Sequence, residues 1–205
     1  MPTARMEAII RSTGTLVDYV NTWYSLRQHP DVCDFAFGNP QEFVIPGFAE
    51  SLARHTAPQD KEWYAYKRSE PHAQAVVAKR LTEWRGLPFE AADIAMTPGA
   101  FGAIQVALLA LVDRDDEVIF QLPPWFFYES VVVAAGGKPV KVPVLPDDHD
   151  LDVDAIAAAI TARTRVAIIN TPNNPTGRIY PAATLTALAS VLTEASVPSS
   201  VRTRE

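Results

Sequence analysis

Cysteine occurs once in the 205 residues, at Cys33, so no internal disulfide can form and a reducing cytoplasm fits the usage. The four histidines, His29, His55, His72 and His149, lie far apart, and neither they nor Cys33 fall into metal-ligand spacing. Long apolar runs are missing too. The longest, Val106 to Val112, is far shorter than a membrane span, and the start MPTARMEAIIRSTG has basic residues without the apolar stretch of a secretory signal. Neither secretion nor membrane insertion is expected. Positive charge is in deficit, with 18 basic against 24 acidic side chains and a net charge of -6, which opposes the counterion release that drives nucleic-acid binding. Nucleic acid is therefore not an expected partner. Neither a GxxxxGK[ST] loop nor a GxGxxG turn is present, which counts against a nucleotide-binding domain.

What remains is ordinary globular composition, 48% hydrophobic and 20% charged, enough for a sizeable core. Met6 to Val20 is compatible with a helix, whereas the prolines and glycines up to Pro58 predict an arm that crosses a surface. From Pro71, the apolar positions Ala73, Val76, Val77, Leu81 and Trp84 recur at helical spacing until Gly86 and Pro88 stop them. A short strand is expected around Asp93 to Met96, followed by the turn TPG and a helix from Ala100 to Val112. That helix is apolar on nearly every side and is expected to be buried. Glu117 to Gln121 reads as a strand, Pro123 to Ala135 as a helix, and Val140, Val142 and Val144 as the inner face of a further strand. Asp152 and Asp154 suit the start of a helix with Val153, Ile156 and Ile160 inward; Val166 to Ile169 is an apolar strand. Pro181 suits the first turn of a last helix, with Leu185, Leu188 and Leu192 inward. Strands alternating with helices imply an α/β fold with a mostly parallel sheet flanked by helices. Residues 196–205 lose all periodicity and are expected to form an atypical, frayed tail.

Ligands in open α/β sheets bind at the carboxyl ends of strands, and three stretches fall there. In TPGAFG, Gly99 lets the backbone approach an anion, and the amides of Ala100 and Phe101 at the helix start can meet a phosphate; the plain alternative is a turn glycine. In PPWFFYES, four successive aromatics beginning at Trp125 offer a face for a flat ring, or are simply core. In TPNNPTG, Pro172 and Pro175 stiffen a loop in which Asn174 can donate to a phenolate oxygen. Read structurally, the same loop is two turns in which Asn173 and Asn174 satisfy their own backbone.

The stretch NTPNNPTG after an apolar strand resembles the asparagine-bearing loop of class I/II aminotransferases of the fold-type-I pyridoxal 5'-phosphate (PLP) scaffold. TPGAFGAI resembles their phosphate turn, PPWFFY their ring-stacking segment, and FGNPQEF with Pro46 their N-terminal substrate-side segment. The resemblance runs from about Phe37 to Ala195. It implies an incomplete aminotransferase large domain preceded by an N-terminal arm: 1–58 as arm and small-domain segment, 59–195 as a partial PLP-binding domain. It further implies that Ala100 and Phe101 bind the cofactor phosphate, that Trp125 stacks on its ring, and that Asn174 bonds its phenolic oxygen. Gly38 would lie by the substrate carboxylate. Tyr64, or Tyr66 in the other alignment, would reach the cofactor phosphate of a neighbouring subunit, since the family builds its sites across a homodimer. Ser69 stands where many relatives have glycine.

The implied activity is transfer of an amino group between an amino acid and a 2-oxo acid. Family members need a lysine, placed after the asparagine loop, to hold PLP covalently and move the proton. Here all five lysines, Lys61, Lys67, Lys79, Lys138 and Lys141, precede Asn174, and no aspartate follows Asp154 to pair with the pyridinium nitrogen. The chain is therefore expected to be a front portion, ended by truncation or frameshift, that binds the cofactor without covalent attachment and without independent turnover. No catalytic residue is assigned. Uncovered sheet edges predict poor solubility alone. The competing expectation is a non-catalytic protein that pairs with a full-length aminotransferase.

Overall fold

The computed structural model describes residues 1–35, 37, 38, 42–195 and the backbone of 199–203. In chain order the elements are helices α1 (Ala4–Leu26), α2 (Pro46–Thr56), α3 (Pro71–Arg85) and α4 (Gly99–Leu111), strand β1 (Glu117–Leu122), helix α5 (Tyr128–Ala135), strand β2 (Lys138–Pro143), helix α6 (Val153–Ala159), strand β3 (Thr164–Asn170), helix α7 (Ala182–Glu194) and strand β4 (Ser199–Thr203). They fall into two compact units, Met1–Thr22 with Pro98–Glu205, and Trp23–Thr97. The boundary at 58/59 expected from the sequence is not one of these cuts.

The first unit is built on a parallel sheet of order β2-β1-β3-β4. Side chains alternate across its strands, so two cores form, one on each face. Val118 and Phe120 of β1 with Val166 and Ile168 of β3 pack against Ile104 and Leu108 of α4 and Val131 and Val132 of α5. On the opposite face Ile119, Ala167 and Ile169 meet Ile156 of α6 and Leu188 and Leu192 of α7. The near-continuous apolar runs of β1 and β3 are what a doubly covered parallel strand requires. Asp152 caps α6, accepting from the Ala155 amide at 2.8 Å.

The sequence placed a strand at Asp93–Met96. Instead, a short 3-10 turn occupies Ala91–Asp93, with the Glu90 amide donating to Asp93 Oδ2 at 2.8 Å, and the carbonyl of Ile94 accepts from Gln74 Nε2 at 2.6 Å. A carbonyl engaged by a side chain offers less to a ladder. The helix expected from Pro123 starts only at Tyr128, because Pro123 and Pro124 sit in the turn after β1. Pro181 caps α7 from outside rather than opening its first turn. The arm also contains a helix that the pattern did not give, α2, with Pro46 in its first turn and no buried residue.

Two further expectations change. Helix α4 is buried along one stripe only: Ile104 and Leu108 are inside, whereas Val106 and Leu109 are 56% and 66% exposed. Its composition gives no polar side to turn outward, so apolar residues face solvent. The tail expected to fray pairs through its backbone, with Ser199–Thr203 lying parallel to β3. An open strand edge presents unpaired N–H and C=O groups that any backbone can satisfy, whatever its side chains.

Candidate functional site

The chain crosses from β1 through α5 to β2 on one side of β1, then through α6 to β3 on the other. The direction of winding reverses between β1 and β3, and in open parallel sheets the crevice outside the carboxyl ends of such a strand pair is where ligands bind. Three segments open there. Helix α4 runs back to the start of β1 through Val112–Asp116, so its N-terminus lies at the carboxyl end of the sheet; Trp125 follows β1 by three residues and Asn174 follows β3 by four.

At the α4 terminus, Gly99 has φ +76° and Pro98 provides no side-chain cap. The left-handed backbone at Gly99 is one that a side chain would strain. Ala100 and Phe101 are exposed, and amides in the first turn of a helix have no intrahelical acceptor, so this end is suited to an anion. Trp125 is half-buried. Phe101 lies edge-on to it at 5.5 Å, Phe127 at 5.2 Å and Tyr128 at 5.5 Å, so packing fixes the indole plane. The sequence left open whether these aromatics are core or ring platform. Tyr128 is core, Trp125 is partly buried and packs against that core, and Phe101 is exposed.

In the third segment the two asparagines separate in role. Asn173 is buried; its Nδ2 donates to Thr176 Oγ1 at 3.0 Å, its amide donates to the Arg178 carbonyl at 2.8 Å, and its carbonyl accepts from the Gly177 amide at 2.7 Å. It holds the loop closed. Asn174 is exposed, and its amide donates to Asn170 Oδ1 at 2.9 Å. The Thr171–Pro172 and Asn174–Pro175 peptide bonds are both cis.

The sequence missed a polar group behind this loop. Arg178 Nη2 lies 2.9 Å from Asp148 Oδ2 and 3.3 Å from Asp150 Oδ2, and Thr184 Oγ1 donates to Asp150 at 2.9 Å. Tyr180 is buried with its hydroxyl unpartnered, and burial, then the Asp150 charge, push its pKa up to about 12, so it stays protonated. Gln121, interrupting the apolar run of β1, is buried with Nε2 unpartnered. The acid-rich stretch DDHDLD and an arginine directly after PTG were the available signals.

In the other unit, Tyr64 is exposed and its hydroxyl donates to the Thr56 carbonyl. It lines a cavity of about 630 Å³ with His55, Trp63, Glu70 and His72. Tyr66 points fully into solvent, and Gly38 is exposed. Among the described residues no cluster of His, Cys, Asp and Glu is arranged to hold a metal, and no helix is long and apolar enough to cross a membrane.

The open parallel α/β sheet thus carries a helix start, an aromatic segment and an asparagine loop beside one switch point. The family described as aminotransferase class I and II matches residues 30–198, and the chain belongs to that family. It is 35% identical over 164 residues to a probable aspartate/prephenate aminotransferase of Thermus aquaticus, covering 80% of this chain and 43% of that protein. To the aspartate aminotransferase of Geobacillus stearothermophilus it is 34% identical over 162 residues, covering 78% and 41%. The structure of aspartate aminotransferase from Thermus thermophilus with maleate superposes at a TM-score of 0.78 and 29% identity, over 97% of this chain and 52% of that one. The chain thus spans about half the length of the relatives it matches. The alternative of a non-catalytic pairing protein gains no support from these likenesses.

Proposed function

We propose that this chain contributes the phosphate, ring and phenol contacts of a PLP pocket belonging to an aminotransferase, which moves an amino group between an amino acid and a 2-oxo acid. The observation that carries the proposal is the topology, which sets the exposed α4 start, Trp125 and the Asn174 loop at the carboxyl ends of β1 and β3. The residues fit the group: an exposed helix start for a dianion, an indole fixed in plane, and an exposed amide. PLP, when bound, supplies an electron sink for negative charge developing at the amino-acid carbon.

In this reading the Ala100 and Phe101 amides hold the phosphate, and the helix terminus adds its positive end. Trp125 bounds the ring and keeps water from one face. The side-chain amide of Asn174 donates to the phenolic oxygen, favouring its ionised form. Tyr64 serves the phosphate of a neighbouring subunit in a homodimer, and Gly38 lies by the substrate carboxylate. The residues from 175 to 205 contain neither lysine nor aspartate, so the covalent anchor and the pyridinium partner are not among them. Residues 59–195 then form part of a larger cofactor-binding domain, and turnover requires groups beyond those present here.

Melting the chain with added PLP tests the proposal, since a ligand that binds only the folded state raises the melting temperature. A rise with PLP, absent with ATP and lost in N174A, is the expected result. A rise with nucleotide instead, or none with PLP at millimolar concentration, contradicts it.

A further inference from the structure

We propose that Asp150 is a positioning residue for the Asn174 loop, acting through Arg178; the proposal rests on the cofactor reading above. The loop is closed on itself by the bonds between Asn173, Thr176, Gly177 and Arg178, which make it a rigid ring ending at Arg178. Such a ring holds its own shape but not its place. Beyond the bond from the Asn174 backbone amide to Asn170 Oδ1 at 2.9 Å, its place is set by two further attachments. One is the Tyr180 amide, donating to Thr171 Oγ1 at 3.0 Å across the base of the loop. The other is the Arg178 side chain, which leaves the loop for the β2–α6 connection.

Of the two carboxylates that receive Arg178, Asp148 is half exposed and Asp150 only 12% exposed. The hydrogen bond from Nη2 goes to Asp148, but solvent screens that pair more than the ion pair with Asp150 at 3.3 Å. Asp150 is itself fixed: Oδ1 accepts from the Leu151 amide at 2.9 Å, Oδ2 from Thr184 Oγ1 at 2.9 Å, and its carbonyl accepts from the Leu145 amide at 2.8 Å. One carboxylate therefore joins the loop after β3, helix α7 and the connection after β2. Nearby, Arg178 Nε and the Tyr180 hydroxyl are buried without partners, so when Asp150 is lost only the half-exposed Asp148 still receives the guanidinium. With Asp150 lost, the side-chain tether rests on solvated Asp148 alone, and the ring and Asn174 are held less firmly in place.

The test uses the 205-residue chain and its D150N, R178M and double variants. Two readouts are compared: amide hydrogen exchange at Asn174 and Tyr180, whose bonds to Asn170 and Thr171 anchor the ring, and affinity for PLP against a PLP analogue lacking the phenolic oxygen. Loss of a partly shielded ion pair is worth about tenfold, between the exposed and the fully buried cases. Each single variant is expected to speed exchange at both amides and to weaken PLP binding by about that factor. Analogue binding stays unchanged, and the double variant is no worse than either single one. Parental exchange rates in a folded D150N or R178M overturn the proposal, as does equal weakening of both ligands, which would signal general loosening. If D150N does not fold, R178M decides alone. A parent chain that binds PLP no better than the analogue refutes the cofactor reading, while the exchange rates still decide whether Asp150 positions the loop.

Discussion

The two units differ in how they are held together. Among the described residues, the buried hydrophobic side chains of Trp23–Thr97 are Trp23 and Ala78, whereas Pro98–Glu205 buries Phe120, Leu108, Ile119, Ile156 and many more around its sheet. Helix α2 buries nothing, and α3 only Ala78. One unit is stabilised by its own core. The other is a set of helices and turns held by local bonds, such as those of Thr82 to Phe89 and Gln74 to Ile94. A segment with so little internal burial gains little stability from apolar contacts of its own.

The sharpest way to break this contrast is a pair of leucines. L108A removes a side chain with no exposed surface and should cost about 2–5 kcal/mol in chemical denaturation. L52A, on half-exposed α2, should stay within about 0.5 kcal/mol. Equal losses would mean that the units share one core.

Glycines give the next contrast, with opposite signs. A Cβ at Gly137 would sit 2.8 Å from Val112 Cγ1 and 3.2 Å from the Asp116 carbonyl, so G137A should destabilise by about 1–3 kcal/mol. At Gly47 in α2 nothing lies within 4 Å, and G47A should raise local helix stability by about 0.5–1 kcal/mol, read as slower amide exchange along α2. Capping follows: D152A deletes the bond to the Ala155 amide and should lower stability by about 1 kcal/mol. Neither α2 nor α3 has a side-chain cap to lose.

The smallest effect is electrostatic. Thr161 Oγ1 donates to Glu117 Oε2 at 2.5 Å and Arg163 Nη2 to Oε1 at 3.1 Å, so the Glu117 pKa is held below its ordinary value of 4.5, the hydroxyl bond first. A depressed carboxyl contributes stability above its unfolded value and loses it as pH falls through the folded one. The melting temperature should therefore fall below about pH 4.5, and E117Q should flatten that acid limb. An identical acid limb in E117Q would show that Glu117 does not set it.

Legibility in the sequence followed the same division. The strands at Glu117 and Val166 and the helices from Pro71 and near Ala182 were readable because burial on one or two faces imposes a period or an apolar run. The TPG turn, Trp125 and Asn174 were readable because each lies just past a strand or just before a helix. What was not readable depended on contacts distant in sequence. Among the described residues no strand pairs with Asp93–Met96, whereas the β3 edge pairs with Ser199–Thr203. The exposure of Val106 and Leu109 reflects what does not pack on α4, which its own residues do not encode. Asp150 and Arg178 meet across 28 positions, a separation that neither motif nor period records.

The most direct test of the central claim is a PLP titration of the 205-residue chain followed by backbone amide NMR. The account predicts saturable shifts at Ala100, Phe101 and Asn174 and at the Trp125 indole, with phosphate alone reproducing only the first two. Saturable shifts confined to residues outside the carboxyl ends of β1 and β3, or none at all in a folded chain, would contradict it.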